Sequence, residues 1–302
     1  MRHLLTLTDL STAEIERIFA ITADLKAKHA QGIREALLPG RVIGMIFEKP
    51  SLRTRVSFEA GMTQLGGGSL FLGSDVGFGA RESLPDFSRV LSQYVDGIVI
   101  RANRHQTVVE LAQHSSCPVM NGLTDYAHPC QALADLFTLR ELVGRLNGLT
   151  LAYIGDANNV ARSLAEGCGR LGMRMVLATP KAYQFSADEI ARLRREIPNL
   201  DISICEHPAK AVNGAVAVYT DVWTSMGQEA ESARRRTDFA AYQVNAALMK
   251  HAPDAYFMHC LPAHRGEEVT DEVIDGPNSL VVGQAANRLH VQKGIIAWLL
   301  SR

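Results

Sequence analysis

The sequence predicts an α/β fold of two domains, each with a central parallel sheet flanked by helices. Short apolar runs alternate with amphipathic helical stretches along the whole chain. Several runs are solidly apolar rather than alternating, the pattern of parallel strands covered on both faces. The length of 302 residues suits two domains of ordinary size.

The expected strands are Val42–Phe47, Ser69–Leu72, Gly97–Arg101, Val119–Asn121, Thr150–Ile154, Met175–Ala178, Ile202–Cys205, Ala215–Tyr219 and Tyr256–His259. The expected helices between them include Phe58–Leu65, Pro85–Tyr94, Gln131–Leu142, Val160–Leu171 and Ala187–Glu196. An N-terminal helix should open at Ser11, because Ser11 with Glu14 three residues on forms a capping box. The segment from Leu142 to Gly148 closes a helix with two glycines and an asparagine before a fresh strand. It marks the domain junction, giving domains 1–145 and 146–284. A last helix, from about Gln284 to Leu300, could pack on either half.

Lysine and arginine total 31 against 32 acids, so no global field draws the chain to nucleic acid or anionic lipid. Any anion site must be local. No apolar run approaches the ~20 residues that cross a bilayer, and the opening residues lack the pattern of a signal peptide. The five cysteines are irregularly spaced without a CxxC pair, which points to free thiols and a cytoplasmic setting. Cys117, Cys168 and Cys205 read as buried packing residues. The stretches Arg192–Arg195 and Arg234–Arg236 read as solvated helix faces.

In open α/β sheets ligands sit beyond the carboxyl ends of the strands, so polar groups just after a strand carry the functional signal. After Val42–Phe47 comes Glu48-Lys49-Pro50-Ser51-Leu52-Arg53-Thr54-Arg55 and then a helix. Free backbone N–H groups, a positive dipole end, hydroxyls and guanidiniums make this a candidate phosphate site, or else an ordinary N-cap with surface arginines. Arg101 ends its strand beside that loop. His128-Pro129-Cys130-Gln131 opens a helix, with His128 near the cap and Gln131 one turn along. Gly155-Asp156-Ala157-Asn158-Asn159 and Asp221-Val222-Trp223-Thr224-Ser225-Met226-Gly227 each follow a strand. Read as a site, they could hold an ammonium and an amino-acid head group; read alone, they are turn formers. The last cluster is His259-Cys260-Leu261-Pro262-Ala263-His264-Arg265-Gly266-Glu267-Glu268. It offers no second cysteine at ligand spacing, and Pro262 argues against a shared metal face for His259 and His264. No metal or cofactor is expected.

Together these clusters resemble the aspartate/ornithine carbamoyltransferase superfamily, end to end and in the same order. The acceptor-side motifs Asp221–Glu229 and His259–Val269 are similar to those of its ornithine members. The resemblance implies a first domain that binds carbamoyl phosphate, a second that binds the amino acid, and a terminal helix, 285–302, that returns to the first. It also implies a trimer, or a multiple of trimers, with active sites at subunit interfaces. By position, Ser51, Leu52, Arg53 and Thr54 would hold the phosphate. Arg101, His128 and Gln131 would hold the carbamoyl end, and Arg288 would close on the donor. Asn159, Asp221, Ser225 and Met226 would bind ornithine, with Cys260 and Leu261 beside the attacking amine and the carbamoyl NH₂. The catalytic set would be Cys260, Arg101, His128 and Asp221. Gly77 stands where many ornithine members have a glutamine that reaches a neighbouring active site, leaving Arg81 as the residue to substitute.

The implied reaction moves a carbamoyl group from carbamoyl phosphate to the δ-amine of L-ornithine, giving L-citrulline and phosphate in arginine metabolism. The alternative is a related acceptor such as acetylated ornithine or putrescine. A nicotinamide oxidoreductase fails on glycine count in the Gly155–Asn159 turn. A non-catalytic sensor is disfavoured by the joint presence of Arg101, His128 and Cys260.

Overall fold

The structure, a computed structural model, describes residues 2–73, 76–79, 81–225 and 228–301. Its elements run α1 (Thr12–Ala30), β1 (Val42–Phe47), α2 (Leu52–Gln64), β2 (Gly68–Leu72), α3 (Leu84–Tyr94), β3 (Gly97–Arg101), α4 (His105–His114), β4 (Val119–Leu123) and α5 (Pro129–Val143). The chain continues with β5 (Thr150–Ile154), α6 (Asn159–Arg170), β6 (Arg174–Ala178), α7 (Ala187–Glu196), β7 (Asp201–Cys205), α8 (Pro208–Ala211) and β8 (Ala217–Thr220). It ends with α9 (Ser232–Phe239), α10 (Ala246–Met249), β9 (Tyr256–His259), α11 (Asp271–Ile274) and α12 (Val281–Leu300). Two compact units emerge, Met1–Ala134 with Ala286–Arg302 and Asp135–Ala285. The divisions fall inside α5 and α12.

The first unit carries a four-stranded sheet in the order β2-β1-β3-β4, and every strand pair is parallel. The central strands are buried because helices cover both faces: β3 has no exposed residue along Gly97–Arg101, whereas edge strand β2 is partly open. Strand order reverses between β1 and β3, so the loops after Phe47 and Arg101 open the crevice where such sheets bind ligands. Helix α1 starts as the sequence predicts. Ser11 Oγ accepts from the N–H of Glu14, and Glu14 returns its carboxylate to the Ser11 N–H at 2.9 Å.

Helix α12 packs against α1 in this unit through a glycine. A Cβ placed on Gly294 would lie 2.1 Å from Thr22 Oγ1 and 3.0 Å from the Ile18 carbonyl. Thr22 Oγ1 is already fixed, donating to that carbonyl at 2.7 Å. Gly294→Ala must therefore separate the helices despite the better helix propensity of alanine. We expect a loss of about 1–3 kcal/mol in chemical denaturation; unchanged or raised stability would show that α1 and α12 yield freely.

The second unit carries a five-stranded parallel sheet in the order β7-β6-β5-β8-β9. Here order reverses between β5 and β8, which places Gly155–Asn159 and Asp221–Ser225 at the switch point. The core on one face gathers Ile154, Val218, Trp223, Phe239, Tyr242, Val244 and Phe257.

Two readings change. Cys117 and Cys168 are buried, but Cys205 lies at the end of edge strand β7 and is only partly covered. The Arg234–Arg236 stretch is not a solvated face. Arg235 is buried, its Nη1 donating to Asp156 Oδ2 at 2.8 Å and to the Trp223 carbonyl at 2.7 Å. Helical periodicity hides this residue, because its two exposed neighbours share its charge. Arg194 and Arg195 are exposed as expected, while Arg192 pairs with Glu189 and Glu196.

Candidate active site

The expected phosphate side lies at the N-terminus of α2. Ser51 caps it, its Oγ accepting from the N–H of Thr54 at 3.3 Å, so the helix begins at Leu52 rather than at the apolar residue Phe58. The first turns carry Arg53, Thr54 and Arg55 instead of core residues, which is why apolar periodicity does not mark them. The Leu52 side chain is 76% exposed, leaving its backbone as the part that could serve. Arg55 turns outward, pairing with Glu59 at 3.0 Å and lying over the Phe71 ring.

Thr54 is fully buried and accepts from Arg288 Nη2 at 2.8 Å, which joins α12 to the loop after β1. Arg101, His128, Gln131 and Arg288 are all buried in the same unit. His128 takes the N-cap position of α5, its carbonyl accepting from the N–H groups of Gln131 and Ala132 at 3.2 Å each. Burial, and then the charges of Arg288, Arg101 and Arg53, hold the His128 imidazole well below its ordinary value. His128 is therefore neutral at pH 7, within a strongly positive field suited to a dianion.

The expected acceptor side lies at the switch point of the second sheet. Asn158 caps α6, its Oδ1 accepting from the N–H groups of Val160 and Ala161 at 3.0 Å each. Its Nδ2 donates to Asp221 Oδ2 at 2.8 Å. The neighbouring amides thus divide the work: Asn158 orients Asp221, and Asn159 stands at the first helical position with only partial burial. The Cys260 thiol donates to Asp221 Oδ1 at 3.1 Å. Arg235 braces both loops at once through Asp156 and the Trp223 carbonyl.

The segment after β9 is fixed by a buried pair. His259 Nδ1 accepts from the Leu261 N–H at 2.8 Å, so the ring proton lies on Nε2 and points to Glu268 Oε1 at 3.2 Å. Leu261 has φ +58, a left-handed conformation that costs a branched residue about 1–3 kcal/mol. Gln284 adds a second brace. Its Oε1 accepts from the His259 N–H at 3.1 Å, and its Nε2 donates to Asp135 Oδ1 at 2.7 Å. Asp221, His259 and Cys260 bring three ligand-type atoms within 4.8 Å. Both nitrogens of His259 and both oxygens of Asp221 already have partners, so the cluster fits an amine-orienting role better than a metal. His264 falls in a different group, with Glu267 and Glu268.

Comparison with known proteins settles the family. The carbamoyl-phosphate-binding domain profile of aspartate/ornithine carbamoyltransferase matches residues 2–141, and its Asp/Orn-binding domain profile matches residues 147–299. An ornithine carbamoyltransferase of Bacillus subtilis is 52% identical, covering 99% of this chain and 94% of its own. One from Thermococcus kodakarensis is 48% identical over 99% and 96% of the two chains. The solved ornithine carbamoyltransferase of Pyrococcus furiosus superposes with a TM-score of 0.95 at 47% identity, over 99% of this chain and 97% of that one. The chain belongs to the aspartate/ornithine carbamoyltransferase family.

Within that family frame, the sequence-derived residues fall into two sets. Ser51, Leu52, Arg53, Thr54, Arg101, His128, Gln131 and Arg288 lie in the first unit; Asn159, Asp221, Ser225, Cys260 and Leu261 lie in the second. Ser225 is partly buried, its N–H donating to Gln228 Oε1 at 3.0 Å. Met226 lies outside the described residues. Gly77 and Arg81 share a turn, with the Arg81 N–H donating to the Gly77 carbonyl at 3.1 Å. Gly77 has φ +66, and a Cβ there would meet Arg81 Cδ at 2.4 Å. A glutamine at Gly77 would therefore strain the backbone and displace the Arg81 side chain, which is exposed.

Sequence reasoning did not single out Asn158, Arg235, Glu268 or Gln284 as positioning groups. Asn158 carried a usable signal, an asparagine just ahead of an apolar-periodic helix. Glu268 lies inside the cluster that opens at His259 but carries no signal of its pairing with it, while Arg235 and Gln284 act through contacts from distant parts of the chain.

Proposed function

We propose that this carbamoyltransferase family member transfers the carbamoyl group of carbamoyl phosphate to the δ-amine of L-ornithine, giving L-citrulline and phosphate. The observation that carries this reading is the Asn158–Asp221–Cys260 cluster, in a chain about half identical to enzymes named ornithine carbamoyltransferase. It presents an anionic carboxylate and a thiol, a pair suited to orienting an ammonium and passing on its proton.

Arg53, Arg101 and Arg288, with Ser51, Thr54 and the α2 N-terminus, neutralise the phosphate. Thr54, Arg101 and neutral His128 donate to the carbonyl oxygen as it gains charge; one such donor is worth about 3–4 kcal/mol in the transition state. The amine nitrogen forms the new C–N bond, the C–O bond to phosphate breaks, and the amine proton leaves with the phosphate. Gln131 and Leu261 flank the carbamoyl NH₂, and Asn159, Ser225 and Met226 hold the amino-acid end. No metal or cofactor takes part. The carbamoyl phosphate domain is 1–145 with the terminal helix 285–302, and the ornithine domain is 146–284. The enzyme works as a trimer, or a multiple of trimers, completed at subunit interfaces, in the cytoplasm and in arginine metabolism. Among the described residues no helix is long and apolar enough to cross a membrane.

The test is a steady-state assay with ornithine, acetylated ornithine, putrescine and aspartate, run from pH 7 to 9. Ornithine should be preferred by kcat/KM. An alkylammonium of pKa near 10.4 costs about 4.6 kcal/mol to neutralise at pH 7, so kcat/KM for ornithine should rise up to about tenfold per pH unit. His128 contributes nothing to this rise, because its lowered pKa keeps it neutral throughout. Preference for another amine, or a flat profile, would overturn the reading.

A further inference from the structure

Two tyrosines of the second unit sit where phenylalanine would serve packing alone. Tyr153 in β5 and Tyr219 in β8 face each other in register on neighbouring strands, and both are fully buried. Side chains alternate between the faces of a sheet. Ala152, Ile154 and Val218 point to the core around Trp223, so the two tyrosines share the opposite face. Their rings stack with centroids 5.6 Å apart and planes 13° from parallel. A buried hydroxyl is costly unless it is hydrogen-bonded, so what each one touches is informative.

The two hydroxyls support the two halves of the acceptor cluster. Tyr153 Oη donates to Asn158 Oδ1 at 3.2 Å, and Asn158 in turn donates to Asp221 Oδ2 at 2.8 Å. Tyr219 Oη donates to Asp135 Oδ2 at 2.9 Å and accepts from Gln284 Nε2 at 3.3 Å. Gln284 also donates to Asp135 Oδ1, and its own oxygen accepts from the His259 N–H, one residue before Cys260. One tyrosine thus stands behind the carboxylate, and the other behind the strand end that carries the thiol. Thiol and carboxylate meet at 3.1 Å. All of these residues lie within the second unit. Burial, and then Asp221 beside Tyr153 and Asp135 beside Tyr219, raise both phenols well above their ordinary value. Each therefore keeps its proton and stays a donor at working pH.

We propose that Tyr153 and Tyr219 are positioning residues for the acceptor: the stacked pair fixes the Asp221 carboxylate against the Cys260 thiol, Tyr153 through Asn158 and Tyr219 through Asp135 and Gln284. The proposal rests on the reading of Asp221 and Cys260 as the pair that orients the amine. The cap bonds of Asn158 tie it only to its own helix, whereas the Tyr153 bond refers it to the sheet. Strands β5 and β8 pair directly, so both supports are anchored in one rigid layer. Buried networks of this kind hold their members in a single arrangement when every hydroxyl is used.

Tyr153→Phe and Tyr219→Phe each remove one oxygen and keep the ring stack. Tyr242→Phe is the control, because Tyr242 is also buried in this unit but its hydroxyl donates to the Glu206 carbonyl, after edge strand β7. The first readout is alkylation of Cys260 by iodoacetamide at neutral pH in the full-length protein, followed on its peptide by mass spectrometry. The thiolate is the species that reacts, and a thiol that donates to a carboxylate holds its proton. A loosened contact therefore speeds the reaction, by roughly threefold or more in Tyr153→Phe and Tyr219→Phe, with Tyr242→Phe at the wild-type rate. The second readout is kinetic: kcat/KM for ornithine should fall by roughly three- to tenfold, the weight of one hydrogen bond, while KM for carbamoyl phosphate stays unchanged. Thermal unfolding establishes which variants fold, and either tyrosine variant carries the test by itself. The proposal is overturned if a folded Tyr153→Phe or Tyr219→Phe alkylates at the wild-type rate, or if Tyr242→Phe speeds the reaction as much. Alkylation needs no acceptor, so its outcome is separate from the amine panel: preference for another amine overturns the proposed reaction, not the role of the tyrosines.

Discussion

Arg53→Ala is expected to lose measurable carbamoyl phosphate binding in titration calorimetry. Arg53 stands in the first turn of α2, two residues past the Ser51 cap, and its charge bears on His128 together with Arg101 and Arg288. Hydrogen bonds to charged groups contribute about 1.5–3 kcal/mol each, and a guanidinium can give a phosphate two of them at once. Losing about 3–6 kcal/mol weakens binding by roughly a hundredfold to ten-thousandfold. The remaining arginines do not make up the difference, because Arg288 is already committed to Thr54 and both come from other elements. The Arg53 side chain is only partly buried, so the variant should fold. Wild-type affinity would remove Arg53 from the phosphate site, and with it the reading of the whole loop after β1.

The second large effect is on stability and acceptor binding together. In Arg235→Met the Asp156 carboxylate, 12% exposed at its side chain, loses its ion-pair partner. Breaking a buried pair from one side costs about 3–5 kcal/mol, which for a unit of this size lowers the melting temperature by roughly 10 °C. The effect should depend on pH in a definite direction. Burial already raises the Asp156 pKa, and Arg235 is the main opposing influence. Without it the folded-state value climbs further above the unfolded one. A carboxyl of that kind favours the folded state only while protonated, so the deficit should grow as pH rises from 5 to 8. The Trp223 carbonyl is released as well, so KM for ornithine should increase while carbamoyl phosphate affinity stays unchanged. A pH-independent deficit, or an unaltered ornithine KM, would show that Arg235 does not hold Asp156 and the Trp223 loop in the way described.

Strands β1, β3, β5 and β9 begin and end where the sequence places them, because solid apolar runs have sharp polar or glycine boundaries. Strand β8 starts at Ala217 rather than Ala215 and reaches Thr220, since apolar content continues past the ladder at one end and a buried threonine extends it at the other. Ser51 to Thr54 and His128 to Gln131 stand out as candidates for the same local reason, and the structure joins two further motifs through the Asp221–Cys260 hydrogen bond. What stayed hidden depends on pairing across the chain. Arg235 meets Asp156 from 79 positions away, and Gln284 meets Asp135 from 149. Neither has a local pattern to read. The left-handed backbone at Leu261 was hidden differently, because a leucine gives no hint of such a conformation.

Leu261 also bears on what selection can do with this chain. A glycine there would adopt the same backbone at no steric cost, but would also free the unfolded chain. It would give up the side chain that packs against the second unit's core, and with it the fixed aim of the carbonyl and thiol on either side. Heat tolerance at this codon is thus a balance between a relieved backbone and lost packing, and whichever residue a screen for it retains reports which of the two weighs more.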